Sequence, residues 1–300
     1  MKPSMIRDRM ENWRYSMKKY NIFIWNIKCS AGTGYGNTSL MEHILKGFES
    51  YIKKCFEKEK KSPDIIILNE FYKLKDYHFF AKKMDDMGYN IFVDENPTKK
   101  YYNQVLIATS KKGIEFISKP ICKFPEQSKT SNLPNYLSVL LESSNSKMAI
   151  IGTRIRWHGI WNNKEKKYKV NKESFEQRKK EFNELINLIK EIKSQDIKKI
   201  IIGGDFNNGK IRGNRDDFYV PDGIDYPYKG FDHENYNYHI IKNELRKIGF
   251  QVLTPEGYSI DNFALDHLIV PEYCNVEIGS LKYVEMEGSD HKALVAEIEL

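Results

Sequence analysis

Three hundred residues, 40% hydrophobic and 13% aromatic, can bury a substantial core, which excludes an intrinsically disordered chain. Lys and Arg exceed Asp and Glu by 48 to 41, and the resulting charge of +7 suits a polyanionic partner such as nucleic acid or a phospholipid surface without establishing either. The four cysteines (Cys29, Cys55, Cys122 and Cys274) form no CxxC pair, no apolar run reaches the length of a membrane span, and the charged stretch Met1 to Lys19 lacks the apolar core of a signal peptide. These features point away from a zinc finger, a disulfide scaffold and a spanning protein. The expectation is a soluble, cytoplasmic protein.

Residues 1–19 read as a leader outside the core, and residues 20–300 as one domain, because apolar and polar segments interleave with no linker, repeat or low-complexity tract. Tyr20 to Ile27 is a β-rich run with Asn26 at its end, followed by the Gly-rich loop Ala31 to Gly36. No Lys-Ser/Thr follows those glycines, so a phosphate-binding P-loop is a poor reading. Leu40 to Lys60 carries a helical stripe (Leu40, Ile44, Phe48, Tyr51, Ile52). Pro63-Asp64 opens a second apolar strand, Ile65 to Leu68, that ends in Asn69-Glu70. A carboxylate on the lip of an aliphatic strand is costly unless a cation meets it, so Glu70 is either a metal ligand or a salt-bridge partner.

Phe71 to Met87 reads as a helix. Tyr89 to Val93, Asn103 to Thr109, Gly113 to Ile117, Tyr136 to Leu141 and Met148 to Arg156 read as strands, close enough in sequence for antiparallel meanders. Lys164 to Lys169 is basic and reads as loop. The clearest helix is Glu173 to Ile192, which leads into Ile200-Ile201-Ile202 and then Gly203-Gly204-Asp205-Phe206-Asn207. The strand is expected to stop at the two glycines, with Asp205 and Asn207 on one side just past its end; an ordinary turn is the competing reading. Asn208 to Tyr236 reads as long loops and Tyr238 to Phe250 as a last helix. Asp266-His267 and Ser289-Asp290-His291 then mark two further strand ends.

Asn26, Glu70, Asp205, Asn207, Asp266, Asp290 and His291 therefore all sit at expected strand ends, and a shared sheet edge would gather them in one cleft. Oxygen donors without thiols favour a hard cation, Mg²⁺ or Mn²⁺. Such an ion with a carboxylate-oriented His and a further Asp is equipment for hydrolysing a phosphate ester.

The ordered set Trp25-Asn26-Ile27, Asp64 to Glu70, Gly204-Asp205-Phe206-Asn207, Leu265-Asp266-His267 and Ser289-Asp290-His291 resembles the endonuclease/exonuclease/phosphatase superfamily, the deoxyribonuclease I-like proteins, from about Tyr20 to the C-terminus. The resemblance implies an α/β fold: a four-layered α/β sandwich, two mixed β-sheets packed face to face with helices on the outside. It also implies roles. Glu70 is the principal metal ligand, with Asn26 and Asp290 beside the ion. Asp205 orients or deprotonates the attacking water, Asn207 holds the phosphate, and His291 contacts the scissile phosphate with its ring fixed by Asp266. His267 is then a structural neighbour.

One departure stands out. Many members carry Thr-His-Leu after the central strand, and this chain has Thr153-Arg154-Ile155. An Arg is no acid near neutral pH, but its fork clamps phosphate, so Arg154 is grouped with Asn103 and His158 as a substrate-binding residue. Aromatic and basic residues interleave in the loops: Trp157, Trp161, Tyr168, Tyr219, Tyr226 and Tyr228 with Arg156, Lys164, Lys166, Lys167, Arg212 and Arg215. Rings that stack on bases and cations that track a backbone favour DNA or RNA as the substrate. Two other readings stay open: a phosphatase or phosphodiesterase for a small or lipid phosphate ester, and a catalytically silent nucleic-acid-binding module.

Overall fold

The computed structural model describes residues 18–27, 42, 44–51, 62–71, 77–93, 104–114, 121–123, 135–142, 146–156, 160–162, 167–169, 172–211, 216–217, 236–260, 263–287 and 289–300. Its strands are, in chain order, β1 (Lys19–Asn26), β2 (Ile65–Phe71), β3 (Tyr89–Phe92), β4 (Gln104–Ser110), β5 (Ile121–Lys123), β6 (Asn135–Glu142), β7 (Lys147–Arg154), β8 (Ile160–Asn162), β9 (Lys167–Lys169), β10 (Lys199–Ile211), β11 (Asp216–Asp217), β12 (Phe250–Leu253), β13 (Phe263–Pro271), β14 (Asn275–Val276), β15 (Lys282–Val284) and β16 (Ala293–Glu299). Helices α1 (Tyr77–Asp86), α2 (Lys172–Ser194) and α3 (Tyr238–Lys247) join a helical segment at 44–51. No helix among the described residues is long and apolar enough to cross a membrane.

The strands form two sheets and a small hairpin. The first sheet runs β14-β16-β1-β2-β4-β3, with β15 also on β16; the second runs β12-β13-β10-β7-β6-β5, with β11 also on β10. Both are mixed, since β1 pairs with β2 and β10 with β7 in parallel while the neighbouring pairs are antiparallel. Strand alternation explains the layering. Ile22, Ile24, Ile65 and Ile67 of the first sheet meet Ile150, Ile201, Leu268 and Val270 of the second in the layer between the sheets. Their alternates face outward: Phe23, Trp25, Ile66 and Leu68 pack on Ile44, Phe48, Phe80 and Met84 of the outer helical segments. Ala149, Ile151, Ile200 and Ile202 pack on Phe182, Leu185, Ile189 and Ile192 of α2 and on Ile241 and Leu245 of α3. The result is helices, sheet, sheet, helices, the four-layered sandwich expected from the sequence.

Several boundaries differ from the sequence reading. Phe71 ends β2 rather than opening a helix, because its ring fills the outer core beside Phe80, 5.5 Å between centroids. Gly113 lies in a turn with Ile114 beyond it, and residues 115–117 lie outside the described residues. Lys167–Lys169 is not loop but β9, paired with β8. Phe250 opens β12 after α3 has ended, its N-terminus capped by the Asn237 side chain accepting from the Ile240 amide at 2.8 Å. The strand through Gly203 and Gly204 does not stop there: β10 continues to Ile211. Asp266 likewise lies inside β13 rather than at its end.

Two glycines on adjacent strands, Gly203 and Gly152, face each other in register on the inner side of the second sheet. A Cβ on Gly203 would lie 2.4 Å from Ile24 Cδ1 and one on Gly152 2.3 Å from Val105 Cγ1. At these glycines side chains of the first sheet pack directly on the backbone of the second, and beyond them side chains of one sheet come into bonding range of the other.

Candidate active site

Two interruptions in strand pairing build the site. In β10 against β13, Asp205 pairs with Asp266 and Lys210 with Ala264, so five steps on one strand face two on the other. The excess forms a bulge at Phe206 to Gly209, with Asn207 at φ 44°. Gly204, at φ 153°, leads into it; a Cβ there would fall 1.7 Å from the Thr153 carbonyl oxygen, so the position requires glycine. In β2 against β4 the register shifts between Leu68 and Phe71, and Glu70 sits at φ 58°. Bulges re-aim side chains, and non-glycine residues in the left-handed region store strain that cluster contacts must hold.

At the focus lies Asp205, 2% exposed. Its Oδ1 accepts the Asn207 amide at 2.7 Å, and its Oδ2 accepts Asn207 Nδ2 at 2.9 Å and Asn26 Nδ2 at 3.1 Å. The last of these bonds crosses between the sheets. Asn26 Nδ2 also reaches Glu70 Oε1 at 3.2 Å. The Arg154 guanidinium sits between the two carboxylates, 2.7 Å from Glu70 Oε1 and 3.9 Å from Asp205 Oδ2. Burial, reinforced by the Asp266 charge, pushes the Asp205 carboxyl up to about 7, against the pull of His291 and Arg154.

Beside it, His291 Nδ1 donates to Asp266 Oδ2 at 2.8 Å, with Asp266 fully buried and His291 nearly so. Burial works against the imidazolium, but the charge and hydrogen bond of Asp266, with Asp205 and Asp290 adding, outweigh it and raise His291 to about 9. The ring therefore carries both protons near neutral pH. Ser289 locks this turn to β1: its hydroxyl donates to the Asn26 carbonyl at 2.7 Å and accepts the His291 amide at 3.0 Å. Trp25 Nε1 donates to the His291 carbonyl at 3.2 Å.

Of the residues singled out in the sequence, Asn26, Glu70, Arg154, Asp205, Asn207, Asp266 and His291 converge here, with Asp290 near enough to act on the His291 charge. Asn103 and His158 lie outside the described residues, as do Trp157, Tyr219, Tyr226, Tyr228, Lys164, Lys166, Arg212 and Arg215. Both hydrogens of the Asn207 side-chain amide are engaged, by Ile155 O at 2.8 Å and by Asp205 Oδ2 at 2.9 Å, so in this structure it orients the carboxylate. Sequence reasoning passed over the supports behind the cluster. Ser259 Oγ accepts the Leu265 amide at 2.9 Å, and the Tyr283 hydroxyl donates to the Asp266 carbonyl at 2.8 Å. Nothing in the runs around Ser259 or Tyr283 signals this, because the partners are backbone atoms, which a pattern of side-chain types does not encode.

Among the described residues no three Cys, His, Asp or Glu side chains gather closely enough to hold a metal by themselves. The available donors are the Glu70 and Asp290 carboxylates with the Asn26 carboxamide. Such a set suits a hard cation that completes its shell with water and substrate oxygens. The guanidinium on Glu70 shows that this carboxylate already accommodates a positive charge.

No family model and no curated protein sequence matches the chain. Solved structures do. D. rerio TDP2 complexed with single-strand DNA product aligns at a TM-score of 0.54 and 14% identity, over 94% of this chain and 99% of that one. The human Nocturnin catalytic domain with bound sulfate aligns at 0.55 and 16%, over 95% and 98%. An endonuclease/exonuclease/phosphatase from Bacteroides vulgatus aligns at 0.56 and 12%, over 94% and 99%. With near-complete coverage of both chains in each alignment, the chain adopts the deoxyribonuclease I-like fold of the endonuclease/exonuclease/phosphatase proteins.

Proposed function

We propose that this chain is a divalent-metal-dependent hydrolase of phosphodiester bonds in nucleic acid. The observation that carries this reading is the Asn26–Asp205 hydrogen bond between the sheets, which joins Glu70 and Arg154 to the Asp205, Asp266 and His291 set in one cluster. Asn26, Glu70 and Asp290 would hold Mg²⁺ or Mn²⁺, which when bound polarises a phosphoryl oxygen and offsets charge on the leaving group.

The chain's own residues do the rest. Asp205, with its carboxyl raised to about 7 and its orientation fixed by Asn207, takes the proton of the attacking water. His291, whose Nδ1 is held by Asp266, offers Nε2–H to a phosphoryl oxygen. Arg154 supplies a planar fork for the same phosphate. The net charge of +7 and the single-strand DNA product bound to a TDP2 of the same fold support nucleic acid as the substrate class.

The test is a panel of single- and double-stranded DNA, RNA, phosphoinositides and a lipid phosphodiester, each with Mg²⁺, with EDTA and with Asp205→Ala. Nucleic-acid cleavage that is lost in both controls is the expected result. Turnover of the small or lipid esters alone would move the chain to that branch. Tight, salt-sensitive binding of nucleic acid with no turnover would make it a silent binding module.

A further inference from the structure

The bulge in β10 gives up its ladder bonds to β13, and buried backbone groups that lose such bonds must find other partners. They find them in buried side chains behind the site. The Tyr236 hydroxyl donates to the Phe206 carbonyl at 3.1 Å, and Asn208 Nδ2 donates to the Tyr236 carbonyl at 2.8 Å. His267 Nε2 lies 2.8 Å from the Asn208 carbonyl. That carbonyl only accepts, so Nε2 carries the hydrogen. In the neutral ring Nδ1 then accepts from the Thr254 hydroxyl at 2.9 Å, which leaves Thr254 to accept from the Tyr238 hydroxyl at 2.6 Å. The imidazole is fully buried, with the Phe206 ring 5.6 Å from it and the Tyr238 ring 5.2 Å from it. A neutral ring in this place holds one tautomer, with its hydrogen on Nε2.

We propose that His267 is a positioning residue of the hydrolytic site: the relay Tyr238–Thr254–His267 fixes the Asn208 carbonyl and so sets the bulge that carries Asn207 next to Asp205. The proposal rests on the hydrolytic reading above for its functional half, while its structural half stands on the hydrogen bonds alone. Asp266 and His267 thus divide one strand between two tasks. Asp266 fixes His291 through Oδ2, and the next residue along β13 fixes the backbone one residue beyond Asn207. Asn207 is held at φ 44°, and its amide and side chain are what aim Asp205. A bulge free to relax would let that strained residue leave the left-handed region, and the Asp205 carboxylate would turn with it.

The test compares His267→Phe, which fills the ring slot without a donor, with His267→Gln, which keeps an N–H for the Asn208 carbonyl, and with Thr254→Val, which removes only the far end of the relay. Deuterium exchange over residues 204–211 reads the anchoring directly. Turnover of bis(4-nitrophenyl) phosphate in Mg²⁺ reads its consequence. His267→Phe is expected to raise exchange in that segment at least about 10-fold and, since a displacement of an ångström costs on the order of 100-fold, to lower kcat by about that factor with little change in KM. His267→Gln should restore most of both, and Thr254→Val should fall between.

A folded His267→Phe with wild-type exchange would overturn the proposal, as would a His267→Gln no better than Phe. If His267→Phe does not fold, Thr254→Val decides alone, and unchanged exchange in it would overturn the relay. A wild type that hydrolyses no phosphodiester would remove the functional reading, while faster exchange in His267→Phe would still uphold the anchoring.

Discussion

The two bulges that make the site are held from opposite directions. The β10 bulge is fixed from behind by fully buried groups: Tyr236 and His267 bond the Phe206 and Asn208 carbonyls, and the Asn208 side chain donates to the Tyr236 carbonyl. In the β2 bulge the Asn69 carbonyl accepts the Ile27 amide at 3.1 Å, while the Glu70 carboxylate meets Arg154 and Asn26 at the cleft with its side chain 12% exposed. Neutral buried bonds change little with salt or with bound ions, whereas a charged contact at a cleft is exchangeable. On the function proposed above, one bulge is a fixed frame for the carboxylate that would accept the proton, and the other is an adjustable arm whose guanidinium partner would give way to a divalent ion.

Substitutions can pull this contrast apart. The largest effect is expected from Asp205→Asn, which removes the proton acceptor: kcat should fall about 1,000-fold, and no concentration of Mg²⁺ or Mn²⁺ should restore it. Recovery at high metal would show that Asp205 belongs to the adjustable arm after all. Glu70→Gln should lower turnover about 100-fold at low Mg²⁺, as weakened metal affinity does, with part of the loss returning as Mg²⁺ is raised. EDTA should abolish turnover of the wild type reversibly; an unaffected rate would remove the metal from the mechanism.

Arg154→Lys should cost about 10-fold in kcat/KM, because an ammonium keeps the charge but not the bidentate fork. A lysine enzyme with wild-type kcat/KM would reduce Arg154 to a counter-ion. The smallest effect on chemistry belongs to Gly203→Ala. Its methyl would press on Ile24 Cδ1, a side-chain tip that can shift, and a cost of about 1–3 kcal/mol in denaturant unfolding is expected.

The same contrast separates what the sequence shows from what it hides. Asn26, Glu70, Asp205 and His291 are legible because each carries chemistry next to an apolar run, and a polar side chain in such a place needs a reason. The layering is legible only through the family resemblance: the run Ile22 to Trp25 is apolar throughout, and the structure turns Ile22 and Ile24 inward and Phe23 and Trp25 outward. Gly203-Gly204 misleads, since glycines between an apolar run and Asp-Phe-Asn look like a turn. The first of them thins the space between sheets and the second passes beneath Thr153, while the strand runs on. The back of the site is hidden for a different reason. Tyr236, Thr254 and His267 act on backbone atoms or on one another, and a pattern of side-chain types does not encode which carbonyl a strand bulge will leave open.

The paired glycines have a consequence for how the site comes into being. Because they bring the sheets close, the cluster is closed by bonds between the sheets: Asn26 of β1 reaches Asp205 of β10 across 179 positions, and Arg154 of β7 meets Glu70 of β2. Neither sheet can assemble the cluster alone, and contacts of such long range are the slow ones to form. During refolding, catalytic competence should emerge only with the final docking of the two sheets, after the helices and local hairpins have formed, so that regained turnover times the closure of the sandwich itself.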